Sequence, residues 1–387
     1  MSAAPGLQEG LNQRQLNMPR WIRYVVLLAV AAVTLAACSG GNAATGGGSN
    51  AGGDSTAKAK GPVQVALILK EFTNPYFVSI ENSARIRAAK LGVKLTISAG
   101  SSDDDTTTQI DAIDNAIAAG DAGIIITPNG GAVNPSLEQA KSHHMLVIAL
   151  DTVPSPPGTA NLTYATNNLQ AGQLIGQYTA KRLNGKAADI AMLDDFNDQV
   201  VSVDIDRDHG FLAGMGIPVG SQTLNGDEPQ SGTYKGRLGG TGSYKIGCQL
   251  PTEGTVPGGQ TAMELCLTKD PNINVVYAIN EPAAEGAAEA LKAARKTSVI
   301  VAAIDGGCAV IPYLRNGEVT ATSAQFPGKM AALGVDAIYT LARTGKKPAA
   351  TPGLGFYNTG TKMYTGSPVA GVPSGTAAQL ASSCWNA

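Results

Sequence analysis

Charge is scarce in this sequence: 15% of its 387 residues are Asp, Glu, Lys or Arg, and the net charge is −2. No basic stripe stands out, which argues against nucleic acid as a partner. There is no GxxxxGK[ST] stretch, so the chain lacks the phosphate-cradling loop it would need to hydrolyse ATP itself. CxxC pairs are missing too, and His143-His144 has no second ligand pair near it in sequence, so zinc has no signature. Asp204-x-Asp206-x-Asp208 begins like a calcium loop, but the glycine arrives one residue late, at Gly210, and Met215 stands where a glutamate is required. The glycine-rich stretch from Gly236 to Gly247 reads as a loop rather than a phosphate cradle. Neither a metal nor any other cofactor is expected.

What the sequence does have begins near its N-terminus. The apolar run from Val25 to Ala37 is too short to span a bilayer, and Arg20 and Arg23 flank it on the near side. That is the layout of an export signal. Leu35-Ala36-Ala37-Cys38 resembles a bacterial lipobox, in which the cysteine sulfur is diacylated and the cysteine becomes the new N-terminus. Residues 1–38 are therefore expected to be a lipoprotein signal with Cys38 lipidated, and Met18 is an alternative start. Residues 39–61, rich in Gly, Ser, Ala, Asn and Thr, read as a flexible tether. The expected location is outside the cytoplasm, on the outer face of the cytoplasmic membrane or in the periplasm, with the lipid as the membrane contact.

Four further cysteines remain in what would be an oxidising compartment, and an even number there reads as disulfides. Cys248 and Cys266 bracket a Gly/Pro-rich loop and are expected to pair; Cys308 would then pair with Cys384, tying the C-terminal tail back.

From residue 62 onward, short apolar runs alternate with helical stretches. Val63–Leu69, Val93–Ile97, Gly123–Thr127 and Leu146–Leu150 read as strands, separated by helices over Tyr76–Lys90, Thr106–Ala119 and Leu137–Ser142. Asp103-Asp104-Asp105 reads as acidic charge favoured at a helix start. The pattern then restarts with a helix from Gly172 to Leu183 and strands over Asp189–Leu193, Asn274–Ile279 and Val299–Ile304. Helices are expected over Val203–Met215, Thr261–Thr268 and Ala283–Arg295, with 220–258 a glycine-rich insertion. A crossing strand over Glu318–Ser323 leads to a helix from Lys329 to Leu341. Repeated βα units imply parallel sheets covered by helices. The expected fold class is α/β: two doubly wound parallel-sheet lobes joined by crossover segments, with a ligand cleft between them. Residues 62–166 and about 326–358 are assigned to the first lobe, 167–325 and about 359–387 to the second.

Six short motifs then become recognisable. They are Asn74-Pro75-Tyr76-Phe77, Leu150-Asp151-Thr152, Arg207-Asp208-His209-Gly210-Phe211, Ala278-Ile279-Asn280-Glu281-Pro282, Ile304-Asp305-Gly306-Gly307-Cys308 and Ala324-Gln325-Phe326-Pro327. In their order and spacing they resemble the type I periplasmic sugar-binding proteins of ABC importers, in the ribose- and fructose-binding branch. Ribose-type members carry an arginine straight after the aspartate; here Thr152 follows Asp151. The insertion and the Asp305-Gly-Gly-Cys308 motif lean towards the fructose-like kind.

The resemblance implies a ligand set of Asn74, Tyr76, Phe77, Asp151, Arg207, Asn280, Asp305 and Gln325. Their chemistry suits a neutral monosaccharide. Aromatic rings meet its C–H face, carboxylates accept from neighbouring hydroxyls, and a guanidinium donates to them. Plainer roles stay open for several: Asn280 suits a helix cap, Asp151 and Asp305 suit turns, and Tyr76 and Phe77 suit a core. The implied function is delivery of a monosaccharide by a monomeric binding protein to an ABC permease and its ATPase. A sensory or chemotactic receptor component is the alternative. A thiol hydrolase using Cys308 with His209 is remote, and no enzymatic activity is expected.

Overall fold

Five short runs in the first half are too short for helices, and those that are apolar throughout must be covered on both faces. In the computed structural model, which describes residues 61–385, they become β1 (Gln64–Leu69), β2 (Lys94–Ala99), β3 (Gly123–Ile126), β4 (Leu146–Leu150) and β5 (Leu162–Ala165). The signal segment, Cys38 and residues 39–60 lie outside the described residues. Between the strands run α1 (Pro75–Leu91), α2 (Thr106–Ala119) and α3 (Asn134–Ser142). Asn74 caps α1, accepting from the Tyr76 amide at 2.9 Å, and Pro75 presets the first turn. Asp105 caps α2 in the same way.

The chain then builds a second set: α4 (Asn168–Leu183), β6 (Ala188–Asp194), α5 (Ser202–Met215), β7 (Ser231–Lys235), β8 (Thr241–Pro251), α6 (Val256–Lys269), β9 (Val275–Ala278), α7 (Glu281–Ala293), β10 (Ile300–Asp305), α8 (Ile311–Asn316) and β11 (Ala321–Ala324). It returns with α9 (Pro327–Thr344) and β12 (Tyr357–Asn358), and ends with β13 (Lys362–Thr365), β14 (Gly375–Thr376) and α10 (Ala377–Ala381). Two sheets result, ordered β12-β5-β4-β3-β1-β2 and β14-β13-β11-β10-β9-β6-β8-β7. The first is parallel throughout; in the second, β7 runs antiparallel to β8 and β13 antiparallel to β11, while β13 and β14 are parallel. Each sheet carries a buried apolar cluster on each face, as the expected two-lobed α/β class requires. The chain passes between sheets after β5, after β11 and after β12. Among the described residues no helix is long and apolar enough to cross a membrane.

The structure differs from the sequence reading in the insertion. Residues 220–258 hold two strands, and the stretch from Gly236 to Gly247 is a loop only as far as Gly240. Tyr244, Ile246 and Cys248 are buried on one face of β8 while Thr241, Ser243 and Lys245 are exposed. That period of two is the strand signal, and the interspersed glycines obscured it. The crossing strand runs over Ala321–Ala324, starting three residues later than read, because the Glu318 and Val319 amides bond back to the Tyr313 carbonyl of α8 and close the turn there. Both disulfides form as expected, Cys248–Cys266 joining β8 to α6 and Cys308–Cys384 joining the end of β10 to the tail.

One close approach positions the site. On α4 and α5, glycines face each other where a side chain has no room. A Cβ at Gly176 would lie 2.1 Å from the Phe211 carbonyl oxygen, and one at Gly210 would lie 2.3 Å from that of Leu169. Only bare backbones allow the two helices to touch there, and the contact holds Arg207 against Asn168.

Candidate functional site

Residues at or just beyond the carboxyl ends of β1, β4, β6, β9 and β10 converge on one cavity of about 30 Å³. Open parallel sheets present their ligand sites at these ends. All eight candidate ligands line it: Asn74, Tyr76, Phe77 and Asp151 from the first sheet's side, Arg207, Asn280 and Asp305 from the second's, and Gln325 from the crossing after β11.

Arg207 is the hub. Its Nε donates to Asn168 Oδ1 at 2.9 Å and its Nη1 to the Ile279 carbonyl at 3.1 Å. Nη2 lies 3.6 Å from Asp151 and Nη1 4.0 Å from Asp305, so one guanidinium faces both carboxylates. The Tyr76 hydroxyl donates to Asp151 Oδ1 at 3.0 Å and lies 3.4 Å from Gln325 Oε1. Gln325 Nε2 in turn donates to Asp305 Oδ1 at 2.9 Å. The lobes are thus linked through side chains that could each bond a hydroxyl.

Asp151 and Asp305 share an uncommon backbone. Their φ values are 64° and 156°, a region that non-glycine residues enter only at a cost. Beneath Asp305 sits Glu281, which the sequence reading did not assign. Its Oε1 accepts from the Gly306 amide at 2.7 Å and from Thr322 Oγ1 at 2.6 Å, and its Oε2 accepts from the Gly307 amide at 2.8 Å. The Glu281 amide donates to Asp305 Oδ2 at 3.2 Å. Burial raises the Asp305 carboxyl to about 6, against the pull of Arg207 and Gln325. Burial and the nearby Asp305 charge raise Glu281 to about 8.

Three further charged residues reach the cavity: Lys70, Asp103 and Asp195. Lys70 Nζ lies 3.1 Å from Asp103 Oδ2, and both side chains are buried. Burial alone would lower the Lys70 ammonium, but Asp103, Asp195 and Asp151 outweigh it and raise it to about 12. Burial pushes the Asp195 carboxyl well above its ordinary range. Asp103 Oδ1 and Asp195 Oδ1 are buried without a hydrogen-bond partner, leaving both free for a ligand hydroxyl. Where Thr152 offers no cation, a lysine enters the cavity from the end of β1. A sequence signal existed, since Lys70 directly follows the apolar run Val65–Leu69.

Two readings need adjustment. Asp103-Asp104-Asp105 does not act as one cap: Asp105 caps α2, whereas Asp103 turns into the cavity. Asn280 lines the cavity, but its amide is already engaged, Oδ1 accepting from the Ala283 amide at 2.9 Å and Nδ2 donating to the Gly254 carbonyl at 2.8 Å. Cys308 holds no free thiol, being joined to Cys384, and His209 Nε2 contacts the Leu224 carbonyl. Asp204 and Asp208 lie on α5, which leaves no calcium-type loop there.

A family model described as periplasmic binding protein domain matches residues 65–347. The chain belongs to that family. This periplasmic binding protein is 25% identical over 282 residues to the ribose import binding protein RbsB of Salmonella typhi, covering 73% of this chain and 85% of that one. It is 28% identical over 263 residues to the D-apiose import binding protein of Actinobacillus succinogenes, covering 67% and 76%. Among solved structures, a galactofuranose binding protein aligns with a TM-score of 0.66 at 24% identity, over 79% of this chain and 95% of the other. An ABC transporter solute binding protein from Mycobacterium smegmatis, with bound glycerol, aligns at 0.68 and 21%, over 84% and 100%. These structural likenesses establish the fold. Membership puts the periplasmic binding protein outside the cytoplasm.

Proposed function

We propose that this periplasmic binding protein holds a neutral monosaccharide of the ribose- or fructose-like kind between its two lobes and delivers it to an ABC permease and its ATPase. One observation carries the reading: aromatic, carboxylate, guanidinium and amide side chains from both sheets meet in a single cavity. Tyr76 and Phe77 supply ring surface, Asp151 and Asp305 accept from hydroxyls, and Arg207 and Gln325 donate. Asn74 keeps its amide nitrogen free for a hydroxyl, and Asn280 closes the wall. The names of the ribose and D-apiose relatives favour a sugar.

The cavity of about 30 Å³ holds about one water. The lobes must part to admit a sugar and re-form their contacts around it, so binding shifts an open population towards a closed one. A permease that recognises the closed form would then respond to loaded protein only. Lipid on Cys38 would keep the protein at the membrane, and a monomer suffices for this role. Thermal-shift screening of the full chain against D-ribose, D-fructose, D-allose, D-apiose and myo-inositol, followed by calorimetry, tests the reading. A panel without a single stabilising sugar would refute it.

A further inference from the structure

A second cavity of about 340 Å³ opens beside the first and shares Asn74 and Asp305 with it. Its volume falls in the range of small-molecule sites, which the inner cavity's does not. Trp385 forms one wall, with Pro75, Pro257 and Pro282 around it. The indole is fixed in place before any ligand arrives. Cys384, the preceding residue, is bonded to Cys308, and the Trp385 carbonyl accepts from the Cys308 amide at 3.0 Å. Its Nε1 donates to the Asp305 carbonyl at 3.2 Å, and its ring meets Tyr76 edge-on at 5.4 Å. A tail from the second lobe is thereby held against an aromatic residue of the first, and Tyr76 in turn lines the inner cavity.

The chemistry of this outer cavity is specific. Its walls are mostly apolar, and no lysine or arginine lines it, whereas the carboxylates of Glu71 and Glu285 do. A flat indole and proline rings match the C–H face of a sugar ring, and carboxylates accept from its hydroxyls. An anionic group would meet only like charge. A preformed aromatic wall costs little to order on binding.

We propose that the ligand is a glycoside or disaccharide: one sugar ring occupies the Arg207 cavity, and a second ring joined to it lies against Trp385 in the outer cavity. This rests on the sugar-binding reading above and narrows its substrate class from a bare monosaccharide to one that carries a second ring.

The test is calorimetry on the full chain with D-ribose, D-fructose, D-galactose and D-glucose, and with sucrose, lactose, melibiose and maltose. For whichever monosaccharide binds, its methyl and phenyl glycosides are titrated as well. A two-ring ligand is expected to bind at least tenfold tighter than the monosaccharide it contains. Trp385→Ala should shrink that ratio roughly tenfold, whatever it does to each affinity. Glu285→Gln, at a position outside the inner cavity, should shrink the ratio severalfold and change monosaccharide affinity less than twofold; it also serves if Trp385→Ala fails to fold. A monosaccharide that loses binding when extended, or ratios that neither variant moves, overturns the proposal and leaves the monosaccharide reading intact. Failure of every sugar to bind overturns both.

Discussion

Replacing Asp305 by alanine separates binding from folding. The carboxylate accepts from Gln325 Nε2 and the Glu281 amide and faces Arg207. Removing it orphans two buried donors, at a cost of about 1–3 kcal/mol each. A second effect opposes this. Burial raises the Asp305 carboxyl from 3.8 to about 6, so at neutral pH and above its ionised form costs the fold about 3 kcal/mol. The contribution of a raised acid to stability is fully present below about pH 4 and is lost as pH climbs through about 6. Alanine removes that cost and that slope. Stability around pH 8 should therefore fall by no more than about 3 kcal/mol, because the relieved ionisation cost offsets much of the loss.

Ligand binding has no such compensation. A hydroxyl loses a charged acceptor, which weakens affinity roughly ten- to a hundredfold. Arg207 also keeps one carboxylate instead of two. The parent's affinity should fall as pH drops through about 6, since a protonated Asp305 accepts less well. Calorimetry for Kd and thermal melting for stability, both run across pH, read the two effects apart. A variant that melts far lower yet binds unchanged would show that Asp305 holds the fold and does not touch ligand.

Lys70→Met should destabilise by about 3–5 kcal/mol by denaturant melting, because Asp103 and Asp195 then lose their cation in a buried setting; a neutral result would show that water reaches them. Replacing Cys308 and Cys384 by serine should cost about 4.5 kcal/mol in the chain-entropy account, since the two lie 76 residues apart, and the melting shift measures it. Cys38→Ala should move the protein from the membrane fraction to the soluble one on fractionation, and full retention in the membrane would end the lipid-anchor proposal. Small-angle scattering should show a smaller radius of gyration when sugar saturates the protein, and identical curves would argue against closure.

How much of this was legible before folding depends on the range of the interaction. Strands such as Ile124-Ile125-Ile126, covered on both faces, announce themselves as apolar runs because burial demands it locally. Caps are local too, so Asn74-Pro75 and Asn280 mark helix starts in the sequence itself. At Asn280 the helix-cap role left open in the sequence is the one its hydrogen bonds show, while the residue also lines the cavity. β7 and β8 were missed because glycines dilute a pattern that only the neighbouring strand β6 makes sheet-like.

The sequence by itself determined the alternation of strands and helices, the presence of an even set of cysteines after residue 61 and the residue types suited to a sugar. Those follow from periodicity, composition and short spacing. Only the tertiary structure decided that Lys70, Asp103 and Asp195 join the cavity, that Glu281 supports Asp305 from below, and that Trp385 walls the cavity beside it. Each is a meeting of segments distant in the chain. Trp385 lies 309 residues from Tyr76 (385 − 76), yet the Cys308 disulfide brings their rings to 5.4 Å. No local pattern encodes such a contact, because the surface it packs against exists only once both lobes have formed.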